Sequence, residues 1–165
     1  STVGKKVLEK AKPKLELKEN NVVDNQNIKR EKLIIYLLIN YPSESYNRLK
    51  ECISIEDMKD EKNKAILKRL YEEFEKGNSN INGVLDTLTN EDEINHITRI
   101  MADDYNIQDI EKAIIDLISV YEKEKIINKR NSILSNLDNT NLSEEERASL
   151  EKELSNIIIK LAKFK

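Results

Sequence analysis

The run from Leu33 to Ile39, inside REKLIIYLLINYPS at residues 30–43, is the longest apolar stretch of the chain, and only the phenol of Tyr36 interrupts it. Three structures suit such a run: a membrane span, a buried strand, or a helix with neighbours on most sides. A spanning helix needs roughly 20 apolar residues, and this run is far shorter. A strand needs a partner of matching character, and no second stretch of that kind exists. From Ile28 to Tyr41 the segment is long enough for a helix, Pro42 ends it, and its unbroken apolarity calls for packing nearly all round. The run therefore predicts the central helix of an α bundle.

The rest of the chain favours the same class. Of 165 residues, 36% are charged and 5% aromatic, with three Gly and two Pro, so strand formers and turn residues are scarce. That balance favours helices over a sandwich or barrel. The expected fold class is all-α, a multi-helix bundle continued by a long helix into a projecting C-terminal two-helix hairpin. A formal charge of -3 supplies no overall basic field for nucleic acid. The single cysteine, Cys52, excludes an internal disulfide framework and fits a reducing compartment. The opening STVGKKVLEKAKPK has no apolar segment of signal-peptide type, so a cytoplasmic location is expected.

Composition divides the chain into residues 1–27, a largely disordered linker; 28–121, a helical bundle subdomain; and 122–165, a helical hairpin subdomain. KENNVVDNQN has the polar make-up of a tether, and Pro13 interrupts the one helical turn before it. Within the bundle, Ser43 is placed to cap SESYNRLKECI. Asp60 is placed to cap a helix whose face is Ile66, Leu67, Leu70, Tyr71 and Phe74, with Gly77 as its stop. Glu91, Asp92 and Glu93 open the next helix where its dipole favours acids. Ser143 with Glu146 has capping-box spacing for a last helix.

The most informative pattern is an apolar stripe that changes sides. On a wheel at 100° per residue, Ile107, Ile110, Ile114, Leu117, Ile118 and Tyr121 share one side of the long helix. Ile126, Ile127, Ile133, Leu134 and Leu137 lie about half a turn round, and the switch falls across EKEK, residues 122–125. One rod with two opposite buried faces needs two neighbours, the bundle and then the last helix returning antiparallel, with a pivot expected at the switch. The last helix spends Leu150, Leu154, Ile157, Leu161 and Phe164 on that seam. Ile127 and Leu134 then sit off the seam of the first arm. Ile158, Ile159 and Ala162 sit off that of the second, and Lys163 lies beside them. A thin hairpin has nothing of its own to cover such side chains, so these six residues are the candidate partner-docking surface.

Chemistry-bearing motifs are sparse. The carboxylates alternate with Lys and Arg at the spacing of a solvated helix face. His96 is the lone histidine, so no His–His or His–Cys ligand set arises, and its spacing points to a surface or boundary role. Cys52 beside Ile53 reads as a small buried hydrophobe. No Gly-rich phosphate loop is present. No catalytic, cofactor or metal residue is assigned, no cofactor is expected, and the chain is expected not to be an enzyme in itself.

The order of elements carries a resemblance. REKLIIYLLINYPS, then KNKAILKRLYEEFEKGNSN, a short helix, INHITRIMADD, and a long helix into a terminal hairpin resembles the C-terminal helicase-binding domain of bacterial DNA primases over about residues 28–165. The resemblance implies docking on the N-terminal domains of the hexameric replicative helicase, which recruits primase to the fork, with the hairpin as principal contact. It implies no small-molecule substrate, no membrane and no direct nucleic-acid partner. The primase zinc segment and acidic catalytic core have no counterpart here. Two other readings stay open. One is the N-terminal helical domain of the replicative helicase itself, a similar bundle. The other is a nucleic-acid-binding helical domain, suggested by Lys160, Lys163 and Lys165, although cations also suit a helix C-terminus.

Overall fold

The structure, a computed structural model, describes residues 25–164. The expected linker at residues 1–24 lies outside the described residues, while 25–27 already belong to the first helix and not to a tether. Seven α-helices account for nearly all of the described chain: α1 (residues 25–40), α2 (Pro42–Cys52), α3 (Glu61–Glu75), α4 (Ile81–Thr87), α5 (Glu91–Ala102), α6 (Ile110–Leu137) and α7 (Glu144–Ala162), with a 3-10 turn at Ile55–Asp57. The all-α, bundle-like class is as expected, and no strand occurs among the described residues. Among the described residues two compact units result: residues 25–50 with Ser54–Asn106, and Glu51–Ile53 with residues 107–164.

In the first unit α1 is the buried element. Ile34, Ile35, Leu37 and Leu38 are fully out of solvent, and Ile39 nearly so. Their side chains span more than half of the helical wheel, which requires neighbours on most sides. Pro42 does end α1, but it also takes the first position of α2, where its missing N–H costs nothing. Ser43 is therefore inside α2 and not its cap. Ser45 seals the junction instead: its buried hydroxyl reaches the Tyr41 carbonyl at 2.7 Å and the Leu37 carbonyl at 3.1 Å.

Helix α3 starts and stops as its sequence dictates. Asp60 accepts from the Asn63 N–H at 2.9 Å. Gly77, at φ 88, turns the chain out of the helix, with Asn78 N–H on the Glu73 carbonyl at 2.9 Å and Gly77 N–H on that of Phe74 at 3.0 Å. These two bonds satisfy carbonyls that the helix end would leave bare. The predicted face is buried as expected: Ile66, Leu67, Leu70, Tyr71 and Phe74. Asn80 and Asn90 cap α4 and α5 through their side-chain oxygens.

A buried polar chain, which the sequence did not announce, ties three helices of this unit together. Glu31 of α1 is 1% exposed. Its carboxylate accepts from the Lys59 N–H at 2.9 Å, the Asp60 N–H at 3.2 Å and the Asn63 side-chain amide at 3.2 Å. A carboxylate at the start of α3 satisfies donors that no turn of helix can, and the dipole favours it there. Since the Asn63 amide nitrogen is committed to Glu31, its oxygen faces His96 Nε2 of α5 at 2.7 Å, so that nitrogen carries the proton. His96 is thus a boundary residue with a partner.

Burial pushes the His96 imidazole below its ordinary value, opposed by Asp60 and assisted by Lys32, Lys62 and Arg99. A base that is harder to protonate when folded favours the fold while it stays neutral. That contribution is present above the unfolded pKa near 6.5 and is lost as pH falls through the lower folded value. Proton NMR is expected to show His96 titrating below the usual imidazole range. In His96→Gln, which keeps an N–H for Asn63, this part of the stability slope disappears.

The second unit is built on α6, which runs unbroken from Ile110 to Leu137 after its cap on Asp109. The division between units therefore falls at Asn106/Ile107, earlier than the expected 121/122. No break or cap marks the expected pivot at Glu122–Lys125, because Glu and Lys are good helix formers and continue the ladder. Cys52 is half-buried instead of buried, with Sγ 3.6 Å from Glu122 Oε1, and Lys125 Nζ donates to the Cys52 carbonyl. Burial first, then Glu122, raises the thiol above its ordinary pKa, so it is held as the unreactive thiol. Helix α7 returns along α6, starting at the expected box, where Glu146 N–H meets Ser143 Oγ at 3.1 Å and Ser143 N–H meets the Glu146 carboxylate at 3.4 Å.

Candidate partner-docking surface

The side-changing stripe of α6 is visible in burial. Ile114, Leu117 and Tyr121 of the first half are buried, with Ile107, Ile110 and Ile118 half-buried. In the second half Ile133 is buried, and Ile126, Ile127 and Leu137 are half-buried. On α7, Ile157 is buried, while Leu150, Leu154, Leu161 and Phe164 are half-buried on the same side of the wheel. Ile126, Ile133 and Leu137 of α6 and these α7 residues form the seam between the two antiparallel helices.

One ion pair orients the hairpin. Lys129 Nζ lies 3.1 Å from Glu153 Oε1, which sets the two residues level and marks one of the hairpin's two broad faces. On the wheel, Lys129 and Glu153 each lie about 55–60° from their seam in the sense that brings them together. The opposite sense on α6 holds Ile127 and Leu134, and on α7 Ile158 and Ala162. These four candidates therefore share the second broad face, with Val120 continuing it. Leu134 is 44% exposed and Ile158 55% exposed, and Ala162 is exposed.

The remaining candidates separate from the four. Ile159, 58% exposed, lies on the back of α7, about 100° round from Ile158. Lys163 follows it at the helix's C-terminal boundary and is exposed. Ile158, Ala162 and Ile159 make one apolar arc that runs from the broad face round the outer edge of α7. Two features were missed. Ala113, Val120, Ile127 and Leu134 stand seven residues apart, an apolar line that the stripe argument passed over. Ile115, 52% exposed, lies on the seam side of α6, below the level that Phe164 reaches by the Lys129–Glu153 register. A seven-residue periodicity search on α6 finds the first, and the second appears only once the register is known.

Among the described residues the large, strongly exposed hydrophobic side chains, Ile115, Leu134, Ile158 and Ile159, all belong to the second unit. Single exposed apolar side chains are ordinary, but this grouping is not. At the hairpin tip an open depression of about 520 Å³ is lined by Asn136, Leu142, Glu145 and Leu150 among others, and it includes Glu146, which is committed to the helix cap. Among the described residues no group of three or more His, Cys, Asp or Glu side chains is placed to hold a metal ion, and no helix is long and apolar enough to cross a membrane. Compared with protein-family models, curated proteins and solved structures, the chain finds no match in any of the three.

Proposed function

We propose that this chain is the helicase-binding domain of a bacterial DNA primase, which recruits the primase by docking on the N-terminal domains of the replicative helicase. The observation that carries the reading is the hairpin's apolar broad face, where Ile127 is half-buried and Leu134, Ile158 and Ala162 are exposed. The order of helices that resembles the primase domain supplies the partner's identity. The recruiting element is then the hairpin, and the first unit is its folded support. In this reading the priming chemistry belongs to other parts of the parent protein, and the chain works in the cytoplasm.

Burial of one such side chain contributes roughly 1.5–3 kcal/mol, so a few of them suffice for a specific but reversible complex. Ile159 lies off the seam and is 58% exposed. Ile159→Asp is therefore expected to leave helicity and melting nearly unchanged while weakening helicase binding several-fold, as isothermal titration would read. Equal binding by mutant and wild type removes Ile159 from the surface. The contact is expected to tolerate salt, because its centre is apolar. Affinity for DNA that falls steeply with salt would instead favour the nucleic-acid reading.

A further inference from the structure

We infer that the apolar face of the hairpin binds a second copy of this chain, forming a weak twofold dimer that hides the face until a partner displaces it. The inference rests on reading that face as a docking surface, not on the identity of the helicase. Its charges are distributed in a self-complementary way. On the α6 half of the face Lys123 and Arg130 stand between the seam and the apolar line, with Glu124 at the outer edge, whereas the α7 half carries Glu144, Arg147 and Glu151. A twofold axis parallel to the hairpin, lying between two copies, sets each α6 half over the other copy's α7 half. Because Lys129 is level with Glu153, Arg130 then comes within a single residue's rise of Glu151 in the second copy, and the pairing occurs twice. The same operation lays Val120 level with Ala162 and brings Ile127 within a helical turn of Ile158 of the second copy. A like charge opposite Arg130 would have opposed this arrangement.

The area sets the strength. The 19 residues of α7 give a face about 28 Å long and about 20 Å wide. Two copies would bury about 1,100 Å² in total, below the roughly 1,600 Å² of a standard stable interface. Such a dimer forms at high concentration and yields to a partner that covers more.

Sedimentation velocity of the whole chain from about 10 μM to about 1 mM tests this. The sedimentation coefficient is expected to rise with concentration. Arg130→Glu and Glu151→Arg are each expected to weaken association about tenfold or more, while an equimolar mixture of the two variants associates again, since each then meets an opposite charge. That recovery separates a contact between copies from one inside a hairpin. A monomer at every concentration, or association indifferent to both substitutions, overturns the inference. Helicase capture by an always-monomeric chain sinks the inference alone, and self-association without capture sinks the helicase reading alone.

Discussion

Glu31→Ala is expected to lower the stability of the first unit by about 3 kcal/mol, the usual cost of leaving several buried donors without their carboxylate. Three donors lose their acceptor at once: the backbone N–H groups of Lys59 and Asp60 and the side-chain amide of Asn63. No water can replace the carboxylate cheaply at a site 1% exposed. The loss spreads, because Asn63 is held by Glu31 on one side and His96 on the other. Lys29→Ala, two residues away and exposed, is the matched control and is expected to stay within about 0.5 kcal/mol. Thermal melts of the two variants check this, and equal melting temperatures would show that the Glu31 cluster carries no stability.

Neighbouring isoleucines on α7 are expected to fail in opposite ways. Ile157 is 4% exposed on the seam, and Ile157→Asp places a carboxylate between two helices at a cost above about 3 kcal/mol. A two-helix seam has little reserve, so α7 should lose helicity, visible as a drop in far-ultraviolet circular dichroism and fast amide exchange over residues 144–162. Ile158 is more than half exposed on the broad face. Ile158→Asp is expected to leave the fold within about 0.5 kcal/mol of wild type. In the proposed complex it should nevertheless weaken docking by about 10- to 100-fold, the equivalent of about 1.4–2.8 kcal/mol. Identical behaviour of the two variants would mean that the wheel and the ion pair have misplaced the seam.

What the sequence disclosed follows from how local each signal is. Asp60, Gly77 and the Ser143–Glu146 pair act over three or four residues, and each forms the cap its spacing predicts. The apolar run gave the buried helix α1 because continuous apolarity admits few alternatives once length excludes a membrane. Ser43 misled because Pro42 is favoured at the first position of a helix, which moved the start of α2 by two residues. Glu31 could not be read at all. It stands among Lys29, Arg30 and Lys32 as one more charge, and only the approach of a distant turn, Lys59–Asp60, makes it structural. Cys52 likewise takes its character from Glu122 and Lys125, far along the chain.

The candidate surface was legible in part for the same reason. Displacement from a seam follows from residue spacing, so Leu134, Ile158 and Ile159 were identifiable as uncovered side chains. Which of them face the same way depends on the register and hand of the hairpin. That information enters only with Lys129 meeting Glu153.

The most direct test of the account is isothermal titration of this chain into a helicase N-terminal domain, with wild type compared against Leu134→Asp/Ile158→Asp. The account predicts saturable binding by wild type and loss of about 100-fold or more in the double variant, with matching dichroism and melting for the two proteins. Absence of binding by wild type, or equal binding by the folded double variant, would contradict it.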